Sequence, residues 1–252
     1  MLIQPIMDKL SALKLAGIRE GLREQMEHPG YRKLSFEERL GLLLDREWSL
    51  RQDRKQRRRV RMARFREAAV LEDVDFSVSR GLDRSQVLAL SQEDWIRRKL
   101  NVIITGPTGA GKTFLACALG QAACRNGFSV RYFPISKLLQ KLLLAHADGS
   151  WPKLLDALTK TQLLIIDDWL RNPLTEAQTS DLLEILEDRS NRASTILATQ
   201  IPVSDWYERL GNGTLSEALM DRIIHNAYRL ELSGESMRKR RSPLTQSGHK
   251  EI

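Results

Sequence analysis

Val102-Ile103-Ile104-Thr105-Gly106-Pro107-Thr108-Gly109-Ala110-Gly111-Lys112-Thr113-Phe114 is the stretch on which the fold turns. A β-branched apolar run gives way to a glycine-rich loop, and the loop to a helix opening at Lys112. Residues 106–113 fit the pattern G-x-x-x-x-G-K-[ST]. Its glycines let backbone N–H groups turn inward around phosphate at the positive end of a helix. In this pattern Lys112 neutralises the β- and γ-phosphates, and the Thr113 hydroxyl sits on Mg²⁺. The expected cofactors are therefore ATP and Mg²⁺. The expected binding segment is Gly106, Pro107, Thr108, Gly109, Ala110, Gly111, Lys112 and Thr113, followed by Phe114.

Downstream, Leu163-Leu164-Ile165-Ile166-Asp167-Asp168 reads as a buried strand delivering acids at its carboxyl end. Asp167 is expected to hold Mg²⁺ and Asp168 to orient and deprotonate the attacking water. Ser194-Thr195-Ile196-Leu197-Ala198-Thr199-Gln200 is a second apolar strand, which brings Thr199 or Gln200 near the γ-phosphate. Strands are expected at 101–105, 129–133, 162–167, 194–199 and 227–232, alternating with helices at 112–125, 137–146, 152–159, 176–191 and 216–225. A capping box opens the helix after Thr175. Ile- and Leu-rich strands separated by helices imply an α/β fold with a parallel sheet between helices.

Upstream the character changes. Ser35 and Glu38 form another capping box, and Leu40, Leu43, Leu44, Glu47 and Trp48 follow at helical spacing. Residues 51–66 then carry nine Lys or Arg, with no Gly or Pro between Leu42 and Ala69, so one long helix is expected. The overall charge is +8, but residues 1–70 hold +7 and residues 234–252 hold +3, leaving a body of −2. Basic ends on a near-neutral body suit a polyanionic partner. The expected division is a helical N-terminal domain over 1–70, a nucleotide-binding core over 71–240 with a turn near Gly81 and a short helix after Ser91, and a disordered tail over 241–252. Cys117 and Cys124 read as buried small hydrophobes. With no apolar run of membrane length and no leader-like start, the expected location is cytoplasmic, away from any membrane.

Taken together, GPTGAGKT, LLIIDD, STILATQIP, LMDRIIHNAYRLEL and GESMRK resemble the helicase-loader branch of AAA+ ATPases. The N-terminal LSFEERLGLLLDREW and the block WIRRKLNVIITGPTGAGKTFLACALGQAACRNGFSVRYF look more closely like the IstB family, the ATPase helpers encoded beside transposases in bacterial insertion sequences. That resemblance implies a ring or spiral homo-oligomer with ATP between subunits. It also implies Arg222 as a finger reaching a neighbour's γ-phosphate, Gln200 as first sensor and Arg238 as second sensor. Too little chain follows Arg238 for the usual helical lid, and Asp168 stands where many relatives carry Glu, a shorter reach. The implied function is ATP-controlled assembly on double-stranded DNA with recruitment and stimulation of the transposase. A replicative helicase loader is the alternative, and a small-molecule kinase or an inactive scaffold fits the basic segment or the intact motifs less well. Arg57, Arg58 and Arg59 are candidate DNA contacts, with Lys137, Lys141 and Lys153 of the inserted helices as competitors.

Overall fold

Alternation along each strand creates two apolar cores, and these decide where the helices lie. The computed structural model describes residues 3–76, 81–92, 94–211, 213–234 and 237. It contains two compact units, Met1–Arg58 and Arg59–Ile252. Residues 59–70, grouped from sequence with the N-terminal segment, fall in the second: Ala63 and Ala69 are buried in its core, with Val60 and Phe65 packed against them.

The first unit holds α1 (Gln4–Ala12), α2 (Ala16–Glu27) and most of α3 (Phe36–Ala63). The expected capping box is present: the Glu38 N–H donates to Ser35 Oγ at 3.2 Å and the Ser35 N–H to Glu38 Oε2 at 2.7 Å. Of the anticipated stripe only Leu43 and Glu47 are buried, while Leu40, Leu44 and Trp48 stay exposed. Glu47 is inside because α2 crosses α3 closely; a Cβ on Gly17 would lie 2.7 Å from Glu47 Cα. Its carboxylate accepts the Gly17 N–H at 2.7 Å, in the first turn of α2, where a negative charge is favoured. The helix ends at Ala63, before the basic run closes at Arg66, because Arg64 turns into the left-handed region at φ 57°.

The second unit runs α4 (Arg84–Ser91), α5 (Asp94–Arg97), β1 (Asn101–Thr105), α6 (Lys112–Arg125), β2 (Val130–Pro134), α7 (Ile135–Ala147), α8 (Trp151–Thr159), β3 (Leu163–Asp167), α9 (Glu176–Arg189), β4 (Ser194–Thr199), α10 (Trp206–Arg209), α11 (Thr214–Ile224) and β5 (Ala227–Glu231). Helix α4 was not anticipated; Asp83 caps it by accepting the Ser85 N–H at 2.8 Å. The sheet is parallel throughout, in the order β2-β3-β4-β1-β5. Val102, Ile104, Ile165 and Ile196 face a core shared with α4, α5 and α6. Ile103, Leu164, Ile166 and Leu197 face the other, built from α7 to α11. Every residue of β3 and β4 is buried, each large aliphatic side chain contributing roughly 1.5–3 kcal/mol.

Two buried groups tie this frame together. Arg189 ends α9 and donates to the carbonyls of Leu158, Thr161 and Ser194 and, from Nε, to Thr195 Oγ1 at 3.2 Å. It thereby satisfies carbonyls left over at the end of α8 and the start of β4. Cys117 and Cys124 are packed in α6, where burial pushes their thiols up to about 11 and about 12. Among the described residues no helix is long and apolar enough to cross a membrane, and no helical lid follows β5.

Candidate phosphate-binding site

Strand order places the chemistry. Because β4 lies between β1 and β3 and runs parallel to both, Thr105, Thr199 and Asp167 end side by side. Ligands of open parallel sheets bind at such carboxyl ends. Gly106 leaves β1 where no other residue fits: a Cβ there would meet Leu232 O at 2.3 Å. Gly111 then enters α6 at φ 100°, a left-handed conformation that glycine adopts without steric cost.

Of the expected loop residues, Thr108, Gly109, Gly111, Lys112, Thr113 and Phe114 line a cleft of about 380 Å³, while Gly106, Pro107 and Ala110 do not. Lys112 Nζ donates to the carbonyls of Gly106 and Pro107, both at 2.8 Å, so its ammonium lies over the loop's mouth. Thr113 Oγ1 donates to Asp167 Oδ2 at 2.8 Å, which joins the start of α6 to the end of β3. Thr108 Oγ1 donates to Gln200 Oε1 at 2.7 Å, holding the Gln200 amide against the loop. Phe114 lines the cleft with its other edge on the α6 core.

Asp167 is buried and heavily engaged. Besides Thr113 it accepts the Tyr132 hydroxyl at 2.7 Å, and its Oδ1 accepts the Asp168 N–H at 2.9 Å. Burial, and next the Asp167 carboxylate itself, push the Tyr132 hydroxyl well above the ordinary tyrosine range, so it remains a donor. Asp168 sits in the left-handed region at φ 56°, which Asp tolerates better than most residues, and this sharp turn sets its carboxylate at the cleft.

Thr199 and Gln200, equivalent from sequence, part company here. Thr199 is fully buried, and its hydroxyl donates to Trp169 O at 2.6 Å. Gln200 alone of the pair lines the cleft. Arg222 is remote from it: its backbone carbonyl accepts from Asn101 Nδ2 at 3.4 Å, at the opposite end of β1 from the loop. The Arg222 guanidinium pairs with Asp221 at 2.8 Å and Glu187 at 3.0 Å. Arg238 and the tail over 241–252 lie outside the described residues.

Of the candidate DNA contacts, Arg57, Arg58, Lys137, Lys141 and Lys153 are exposed. Arg59 is half-buried and donates to Cys124 O at 3.5 Å, close to the carboxyl end of α6. Sequence reasoning missed Arg66, Tyr132 and Met237, which reach the site from other elements. Met237 N–H donates to Gly109 O at 3.0 Å.

A hard divalent cation fits this donor set. A hydroxyl and a carboxylate meet beside the phosphate loop, as expected for Mg²⁺ held by one or two protein oxygens plus substrate phosphates. Among the described residues no cluster of His, Cys, Asp or Glu forms an all-protein metal cage.

A family model described as "IstB-like ATP binding protein" matches residues 8–245. The insertion sequence ATP-binding protein y4pL of Sinorhizobium fredii is 48% identical over 239 residues, 95% of this chain and 98% of its own. The ATP-binding protein of insertion sequence IS1162 from Pseudomonas fluorescens is 45% identical over 205 residues, 81% of this chain and 89% of its own. Among solved structures, the DnaC helicase loader superposes with a TM-score of 0.51 at 20% identity, over 59% of this chain and 86% of its own. DnaI does so with 0.55 at 20% identity, over 70% and 93%. At such identity the likeness concerns the fold alone, that of an AAA+ P-loop core.

Proposed function

This chain belongs to the IstB-like ATP-binding protein family, and on that premise we propose that it is an ATPase that assembles on double-stranded DNA. There it recruits and stimulates the transposase of its own element, and ATP hydrolysis takes the assembly apart. The observation that carries the ATPase reading is the 2.8 Å contact between Thr113 and Asp167 beside Lys112. The insertion-sequence names of the relatives favour transposition over helicase loading, for which only the fold speaks.

In this reading the loop N–H groups and Lys112 bind the triphosphate, Lys112 exchanging its two carbonyl partners for β- and γ-oxygens. Thr113 and Asp167 would hold Mg²⁺, which would supply charge neutralisation at the phosphate oxygens. Asp168 orients the attacking water and takes its proton. Gln200, fixed through Thr108, reports the γ-phosphate to β4.

Arg222 acts on a neighbouring copy. Its own loop begins a whole strand away, about 16 Å at the usual rise per residue, too far for one guanidinium to span. A ring or spiral of subunits brings one chain's Arg222 to the next chain's nucleotide, where its charge stabilises the transition state. Arg57, Arg58, Lys137, Lys141 and Lys153 supply exposed cations for DNA phosphates, and the protein works in the cytoplasm with that DNA.

The test is phosphate release and retention on DNA by wild type, Lys112→Ala and Asp168→Asn. Lys112→Ala should lose nucleotide binding and assembly, while Asp168→Asn should bind ATP, cease hydrolysis and stay on DNA. Wild-type hydrolysis by Asp168→Asn would remove the role given to that acid.

A further inference from the structure

Arg66 has no part in the scheme above, yet it lies in its middle. The chain leaves α3 at Ala63, reverses at Arg64, and plants Phe65 against α6 and β3. The fit is close: a Cβ on Gly120 would lie 2.6 Å from Phe65 Cε1 and 2.7 Å from Ile165 Cδ1. Phe65 therefore fixes the backbone from which the next side chain departs. Arg66 Nη1 lies 3.4 Å from Asp168 Oδ2 and 3.9 Å from Asp167 Oδ2. Exposure differs sharply across this group: 50% for Arg66 and 39% for Asp168, but 2% for Asp167.

A buried carboxylate beside a second one is costly without a cation, and more so with a triphosphate arriving. Thr113 and Tyr132 offer Asp167 neutral hydroxyls, which supply hydrogen bonds but no charge. The guanidinium supplies the charge, at the oxygen that Thr113 also contacts. A divalent cation held by Asp167 and Thr113 would lie within a few ångströms of that guanidinium, and the two cations repel.

We propose that Arg66 stands in for the divalent cation at Asp167 and Asp168 while the site is empty, and is displaced when Mg²⁺ and ATP enter together. The inference rests on the ATP-site reading and adds a positioning residue to it. Arg66 keeps both carboxylates oriented and shielded before nucleotide arrives, and it raises the metal's threshold for entry.

The readout is the ratio of affinities for a non-hydrolysable ATP analogue in excess Mg²⁺ and in EDTA, measured by calorimetry on the full chain. In Arg66→Gln the bare carboxylates repel the metal-free triphosphate, while the metal meets no rival. The ratio should therefore rise roughly three- to tenfold, the scale of a half-exposed charge pair. Arg66→Lys should stay within about twofold of wild type, because the charge is kept. The melting temperature of Arg66→Gln should fall only by the small amount a half-exposed charge pair contributes, with the fold intact. An unchanged or smaller ratio overturns the proposal, as does a parallel fall of both affinities, which would make Arg66 a phosphate ligand. A wild-type protein that binds the analogue in neither buffer would overturn the ATP-site reading itself, a different failure from an unchanged ratio.

Discussion

Tyr132→Phe removes one oxygen from the most constrained point of the site. The hydroxyl is buried and donates at 2.7 Å to Asp167, whose other partners are Thr113, the Asp168 N–H and, at 3.9 Å, the Arg66 guanidinium. A hydrogen bond to a charged group contributes about 1.5–3 kcal/mol net, and the ring itself remains to fill its space. The expected loss is thus about 2 kcal/mol, set by one unsatisfied carboxylate lone pair rather than by a cavity. In urea, with a slope of about 2 kcal/mol/M, the midpoint should fall by roughly 1 M. The shift belongs to the transition of the second unit, which tryptophan fluorescence follows through Trp169 and Trp206. There is also a signature in pH. The folded-state pKa of Tyr132 is raised, so its contribution is complete below the ordinary value near 10 and declines as pH rises beyond it. Wild type and variant should converge in stability above that point. A midpoint unchanged at neutral pH, or a difference that grows in alkali, would refute the reasoning.

Arg189→Met should destabilise the second unit by about 3–5 kcal/mol, since it strands the carbonyls of Leu158, Thr161 and Ser194 in a buried setting; urea denaturation measures it. Arg222→Ala should bind ATP normally yet hydrolyse it about a thousandfold more slowly. Mixed with Lys112→Ala, it should recover partial activity at shared interfaces, and mixed oligomers without any recovery would argue against action in trans. Neutralising Arg57 and Arg58 together should weaken DNA binding without sequence bias and flatten the log–log salt dependence by about two units. An unchanged slope would shift the contacts to Lys137, Lys141 and Lys153.

How much of this could be read in advance follows from the range of the forces involved. The loop, its strand and its helix were legible to the residue, since glycine geometry and a lysine bonded back to the loop carbonyls act within a few positions. Strands β3 and β4 were legible because burial on both faces leaves continuous apolar runs. Helix α4 was missed although Asp83 and Ser85 carry its cap, because its apolar residues Val87, Leu88, Ala89 and Leu90 are consecutive and show no helical spacing. The stripe through Leu40, Leu44 and Trp48 looked like core and is exposed. What turned that helix was Gly17, distant in sequence, which lets α2 approach at Glu47. Arg66 was lost in a run of like charges and Arg59 was grouped with the DNA contacts, and only packing against α6 and the acids of β3 distinguishes them. The residues alone left Thr199 and Gln200 open and the resemblance chose Gln200; in the structure the turn at Trp169 claims the threonine hydroxyl.

The central claim is that nucleotide bound at residues 106–113 governs assembly on DNA. Mass measurement of the protein on a duplex, with and without a non-hydrolysable ATP analogue, tests it most directly. Multi-subunit complexes should form on DNA only with the analogue, and Lys112→Ala should form none. Equal assembly without nucleotide, or by Lys112→Ala, would contradict the account.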